Sequence, residues 1–169
     1  MVHADSSNFL SDLSKQDAYR QVIDQTKALC EDQRNWVSTE NPCIHQLIAI
    51  GLVSESVHVD PSNANSNLAN AASLLWHALH ALPEPSNRVN WAGFYVLDPS
   101  KIDQLILGPF QGKVACQTIA FGRGVCGAAA STATTQLVPD VEEFPGHIAC
   151  DGDSQSEIVV PILKAGKVM

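Results

Sequence analysis

The chain has 169 residues, a 45% share of apolar residues and a formal net charge of −8. This composition is typical of one folded domain with a sizeable core, and it excludes an intrinsically disordered chain. The basic residues are few and scattered, which argues against nucleic acid or an anionic membrane surface as the main partner. No apolar run reaches the roughly 20 residues of a membrane span, and the N-terminus lacks the features of a secretory signal.

The number of cysteines also indicates the cellular compartment of the protein. There are five cysteines, an odd number, spread from Cys30 to Cys150. A disulfide framework in a small secreted domain would need a denser, even set. We therefore expect a cytoplasmic protein with reduced thiols. Cys30 lies on an apolar helical stripe and is expected to pack in the core, whereas Cys43 has no evident role.

Two helices are predicted in the first half of the chain, over residues 17–37 and 67–82. Apolar residues recur at spacings of three and four in the first helix. The second is rich in Ala and Leu and ends before Pro83. The segment between them, residues 39–65, contains an Asn-Pro and an Asp-Pro pair and is unusually long for a loop in a compact domain.

From residue 90 onward the pattern changes to short runs rich in aromatic and β-branched residues. Strands are predicted at residues 91–97, 105–110, 115–121, 136–138 and 157–163, with a short helix at 124–131 after a Gly-rich turn. A further strand starts at Lys167. Helices followed by closely connected strands predict an α+β fold, an antiparallel sheet flanked by helices.

Three cysteines lie among glycines and small residues, which leave a sulfur accessible: Cys116, Cys126 and Cys150. Cys126 opens the short predicted helix, and a helix N-terminus favours the thiolate. Cys150 precedes Asp151 and Asp153, whose charges disfavour a thiolate unless another group offsets them. We predict thiol–disulfide chemistry; plain packing is the alternative.

Glu157 begins an apolar strand and could hold a substrate ammonium or share a proton. The alternative is a capping box, because Ser154 stands three residues before it. Trp91 and Tyr95 are four apart on a predicted strand and so share a face. They could wall an apolar substrate group, although core packing is the favoured explanation when the two residues are taken alone.

A zinc site is not expected. Cys116, Cys126, His147 and Cys150 include suitable ligand types, but the chain lacks the close C-x-x-C pair of structural zinc sites. It also lacks the motif of zinc deaminases. We therefore expect neither a metal nor another cofactor.

Five motifs in order resemble those of one enzyme family: residues 90–95 (NWAGFY), 107–113 (LGPFQGK), 124–127 (GVCG), 144–151 (FPGHIACD) and 156–161 (SEIVVP). The family is the free methionine-(R)-sulfoxide reductases, small enzymes with the GAF fold. The resemblance covers residues 67–169 closely and the first helix less distinctively.

The resemblance implies reduction of free methionine-(R)-sulfoxide to methionine, through a cysteine sulfenic acid and an intramolecular disulfide that thioredoxin reduces. It implies that Cys116, Cys126 and Cys150 are the catalytic cysteines. The position of Cys126 at a helix N-terminus slightly favours it as the nucleophile, with Cys150 next and Cys116 as an alternative resolving thiol. Trp91, Tyr95 and Glu157 match the family's substrate site. GAF domains often dimerise, so the resemblance allows a homodimer, although no interface is identified in the sequence. The alternative function is a non-catalytic GAF module that binds a small molecule, or an inactive truncated fragment.

The chain departs from the family pattern at two places. Family members continue past the position of Met169 with a strand, an Asp-x-Asp pair and a helix, so we expect a single GAF-like domain over residues 1–169 that is truncated at its C-terminus. Residues 39–65 have no family counterpart and are expected to be an insertion. We hypothesise a retained intron, because the match breaks and resumes abruptly; a spliced transcript that still encodes the segment would refute this.

Overall fold

The computed structural model describes residue 9 and residues 13–31, 64–164 and 166–168. Cys43, the side chain of Cys30 and most of the expected insertion, residues 39–63, lie outside the described part. The chain divides into two compact units. The first comprises Met1–Phe94 with Pro109–Gly112, and the second comprises Tyr95–Gly108 with Lys113–Met169.

Two helices pack together in the first unit, α1 at Lys15–Glu31 and α2 at Ala64–Ala81. Ser14 caps α1, because its hydroxyl accepts a hydrogen bond from the Asp17 backbone N–H at 3.2 Å. The buried residues of α1 follow one face at a spacing of four: Ala18, Val22 and Thr26. Both predicted helices are therefore confirmed, although residues 32–37 of the first lie outside the described part.

A three-stranded sheet follows, with the order β1-β2-β3 for strands at Trp91–Leu97, Gln104–Gly112 and Thr118–Ala120. β2 and β3 are antiparallel, and Leu105 lies opposite Ile119. The turn between β1 and β2 is held by Asp98, whose carboxylate accepts hydrogen bonds from the backbone N–H and hydroxyl of Ser100. The predicted strand at 115–121 is shorter than expected, because residues 115–117 are irregular.

The second unit contains the short helix and two further strand pairs. Helix α3 spans Gly124–Thr132, β4 (Gln136–Val138) pairs with β5 (Glu157–Val159), and β6 (Leu163–Lys164) pairs with β7 (Lys167–Val168), both antiparallel. The continuous strand predicted at 157–163 is wrong: β5 ends at Val159. Pro161 has no backbone N–H and interrupts a ladder of hydrogen bonds.

Two apolar clusters form the core of the second unit. One is built on Leu105, Ile119 and Ala130, with Tyr95, Cys116, Cys126 and Ile148 packed against it. The other is built on Val125, Val138 and Val141. The helices and antiparallel strands confirm the α+β class. Among the described residues, no helix has the length and apolar character that a bilayer crossing requires.

Candidate active site

Cys116 and Cys150 form a disulfide; their Cα atoms are 5.6 Å apart, and the two residues are 34 positions apart in the sequence. Cys116 lies in the loop between β2 and β3, and Cys150 lies in the loop that precedes β5. The Tyr95 hydroxyl donates a hydrogen bond of 2.6 Å to the carbonyl oxygen of Cys116, which anchors that side of the pair. Fold topology thus brings two of the three predicted cysteines into bonding contact.

Lys113 forms a second connection, made of ion pairs, between the two loops that the disulfide joins. Its ammonium lies 2.9 Å from Asp151 Oδ2 and 2.6 Å from Asp153 Oδ2. Hydrogen bonds to Asp153 and then Asp151 raise the pKa of Lys113, so the lysine remains charged. This ammonium is the group that offsets the two carboxylates next to Cys150.

Cys126 is the third predicted cysteine and, among the described cysteines, the one that remains a free thiol. It is the third residue of α3 and packs against the cluster around Leu105. Burial, followed by the charge of Glu157 and a hydrogen bond to it, raises the pKa of Cys126. This raised pKa opposes the thiolate expected from the helix N-terminus, because removal from water disfavours the charged form of the sulfur.

Glu157 is the first residue of β5, where it lies opposite Val138. Its Oε1 accepts a hydrogen bond from the Cys126 thiol at 3.5 Å, and its Oε2 lies 4.0 Å from His147 Nε2. Burial raises the pKa of Glu157, and the contacts with Cys126 and His147 partly oppose this shift. Since Glu157 begins a strand and not a helix, the capping-box alternative is excluded.

Tyr95 lies near Cys126 and Glu157. Burial raises its pKa to about 12, and the nearby charges of Cys126 and Glu157 add to the shift. Trp91 belongs to the first unit, where its ring lies 6.3 Å from that of Phe110, centroid to centroid. The second unit alone therefore gathers Tyr95 and Glu157 with the three cysteines.

The contacts of Lys113 and His147 were not predicted from the sequence. A signal was present for the lysine, because it lies three residues before Cys116 while two carboxylates follow Cys150 closely. For His147 the signal was weaker, since only folding brings it beside Glu157. Within the residues described, no group of three or more His, Cys, Asp and Glu side chains is arranged to hold a metal ion.

Known proteins with a similar sequence and fold identify the family. A free methionine-R-sulfoxide reductase from Saccharomyces cerevisiae is 47% identical over 161 residues, which cover 95% of this chain and 72% of the yeast protein. A solved GAF domain matches with a TM-score of 0.73 and 46% identity, covering 100% of this chain and 78% of the other. No model of a protein family matches the chain.

A third comparison includes a bound substrate. Free methionine-R-sulfoxide reductase from Neisseria meningitidis, solved in complex with its substrate, matches with a TM-score of 0.66 and 34% identity, over 96% of this chain and 75% of that one. These similarities confirm the resemblance drawn from the five motifs. The chain belongs to the free methionine-R-sulfoxide reductase family and has its GAF fold.

Proposed function

We propose that this chain is a thiol-dependent oxidoreductase that reduces free methionine-(R)-sulfoxide to methionine. The observation that carries the proposal is the Cys116–Cys150 disulfide, in a unit that also holds Tyr95 and Glu157. Membership of the reductase family supports the substrate. A GAF module that only binds a small molecule has no need of an adjacent pair of redox-active sulfurs, so this alternative is not favoured.

Cys150 is the proposed nucleophile, which revises the preference for Cys126. The raised pKa of Cys126 makes it a poor thiolate near neutral pH. Cys116 packs against an apolar cluster and its carbonyl is anchored by Tyr95, so it suits the resolving role. Cys150 lies in a loop, outside that cluster, and the ammonium of Lys113 offsets the carboxylates that follow it.

The first step transfers two electrons. The Cys150 thiolate attacks the sulfoxide sulfur; the oxygen ends on the cysteine as a sulfenic acid, one proton is taken up, and methionine leaves. The substrate sulfur is reduced and the cysteine sulfur is oxidised. In the second step the Cys116 thiol attacks the sulfenic sulfur, water leaves, and the observed disulfide forms.

A dithiol must then reopen the disulfide, and thioredoxin is the proposed reductant. One thioredoxin thiolate attacks the disulfide, the second resolves the mixed disulfide, and both enzyme thiols are regenerated. This recycling suits the cytoplasm, where thiols are kept reduced. A homodimer remains part of the proposal, supported by the association common among GAF domains.

The substrate is a free amino acid, so its ammonium needs a counter-charge. Glu157 is the proposed partner, since its carboxylate is half-buried beside Cys126 and His147. A bound ammonium would stabilise the ionised form of this carboxyl, whose pKa burial raises. Tyr95 is proposed to wall the apolar part of the substrate, as the family resemblance implies; the same role for Trp91 rests on that resemblance alone.

A single-turnover assay tests the function. The chain is reduced, freed of reductant, and mixed with one equivalent of free methionine-(R)-sulfoxide; we expect up to one methionine per chain. The (S) epimer and peptide-bound sulfoxide serve as controls. A folded, reduced chain that yields no methionine contradicts the proposal.

Variants of the cysteines assign the roles in the same assay. Cys150→Ser should yield no methionine, whereas Cys116→Ser should yield methionine and leave a sulfenic acid on Cys150 that dimedone traps. Cys126→Ser should yield methionine with the disulfide closed. Methionine from Cys150→Ser but not from Cys116→Ser would reverse the two roles, and loss in Cys126→Ser alone would return the nucleophile to Cys126.

A further inference from the structure

Lys113 and the disulfide join the same two stretches of chain. The lysine lies three residues before Cys116, and one of its partners, Asp151, directly follows Cys150. The Asp151 side chain is only 16% exposed, whereas those of Lys113 and Asp153 are 49% and 79% exposed. One of the two ion pairs is therefore partly shielded from water, and neither contains sulfur.

The ion pairs matter because the proposed cycle opens the disulfide. Once the bond is reduced, the only covalent connection between Cys116 and Cys150 is the main chain, along which they are 34 positions apart. The rate and equilibrium of reclosure then depend on the effective concentration of one sulfur at the other. Any contact that holds the two loops together without sulfur raises that concentration in the reduced and sulfenic states alike.

We propose that Lys113 is a positioning residue: through Asp151 and Asp153 it holds the Cys150 loop against the Cys116 loop while the disulfide is open. The inference rests on the proposed assignment of Cys116 and Cys150 as the redox pair. Two carboxylates on one ammonium form a small charge network, which is more effective than an isolated surface pair. Because the lysine is half-exposed, the expected effect is modest and falls with salt.

The test is the redox equilibrium of the pair in buffers of reduced and oxidised dithiothreitol. These reagents are uncharged near neutral pH, so salt does not act on them directly, and substrate is not needed. The Cys116–Cys150 disulfide is followed at peptide level by mass spectrometry. We expect Lys113→Met to shift the equilibrium toward the dithiol by about threefold at low salt, and Lys113→Arg to retain most of the wild-type value.

Lys167→Met is the matched control, because it removes one exposed positive charge from the same unit. The dithiol–disulfide equilibrium of Lys167→Met should equal that of the wild type. The wild-type equilibrium should move toward the dithiol as salt rises, while that of Lys113→Met should not respond. Asp153→Asn, which removes only the exposed partner, should have an intermediate effect.

Wild-type values in Lys113→Met, or an equal salt response in the two proteins, would overturn the inference. If Lys113→Met does not fold, the inference is tested by the salt response of the wild-type equilibrium and by the effect of Asp153→Asn. An unchanged equilibrium in both measurements would overturn it. This test is independent of the proposed function: a chain that yields no methionine from the sulfoxide can still show the Lys113 effect on the equilibrium, and the reverse also holds.

Discussion

The thiol of Cys126 donates a hydrogen bond to Oε1 of Glu157, with 3.5 Å between sulfur and oxygen. The acceptor keeps this sulfur protonated in two ways, because its hydrogen bond stabilises the thiol and its negative charge opposes the thiolate. The pair links α3 to β5, which β4 and the Cys150 loop separate along the chain.

Removing the charge of Glu157 should make Cys126 more reactive. Glu157→Gln eliminates the charge but leaves the burial, which is the largest cause of the raised pKa of Cys126. We therefore expect only about a threefold faster alkylation by iodoacetamide, measured on the Cys126 peptide with the Cys116–Cys150 disulfide closed. Glu157→Asp keeps the charge and should alkylate at nearly the wild-type rate; equal rates in the two variants would contradict the electrostatic part of the argument.

The raised pKa of Cys126 also predicts how stability depends on pH. Its pKa in the unfolded chain is near 9.0, and the folded value is higher. Above pH 9 the unfolded state loses a proton that the folded state retains, so stability falls as pH rises, by up to about 1.4 kcal/mol per pH unit. Below that pH the thiol is protonated in both states and contributes no slope.

Cys126→Ala should remove this part of the alkaline loss. The comparison uses urea unfolding of the disulfide-closed proteins between pH 8 and 10. Tyr95, with a pKa raised to about 12, adds a second loss that starts near pH 10, and burial, the largest cause of that shift, is present in both proteins. Parallel slopes for the wild type and the variant between pH 9 and 10 would mean that Cys126 is not buried as described.

Gly127 provides a packing test next to Cys126. A Cβ atom at this position would overlap the backbone oxygen of Ala120 and lie 3.2 Å from the backbone nitrogen of Gly122. Backbone atoms cannot rotate away, so Gly127→Ala should destabilise the chain by about 1–3 kcal/mol. Gly152→Ala is the control, because nothing lies within 4 Å of its added Cβ. Thermal unfolding of both variants gives the comparison, and equal midpoints would refute the close approach.

The hydroxyl of Tyr95 should contribute to stability through the carbonyl of Cys116. Tyr95→Phe keeps the ring and removes the hydrogen bond of 2.6 Å, leaving a partly buried acceptor unsatisfied. A loss of about 1 kcal/mol is expected in urea unfolding. Tyr19→Phe, at an exposed position of α1, should have no measurable effect. A wild-type midpoint for Tyr95→Phe would show that water replaces the bond without cost.

Local patterns in the sequence predicted most of the secondary structure. The spacing of apolar residues identified α1 and α2, and the strand at residues 91–97 has the predicted bounds. The error at residues 157–163 arose because hydrophobicity was weighed above Pro161, whose missing N–H is itself a local signal. The observed ends of β3 depend on which residues of β2 lie opposite, a relationship that adjacent residues do not encode.

Sequence alone determined the class of chemistry, since accessible cysteines and five ordered motifs identify a thiol-dependent family whatever the coordinates are. Only the tertiary structure decided which sulfurs pair, because Cys116 and Cys150 meet through loop placement across 34 positions. It also decided that burial and Glu157 raise the pKa of Cys126, and that Lys113 reaches a carboxylate 40 residues away. Desolvation and Coulomb interactions depend on distance in space, and chain neighbours do not reveal that distance.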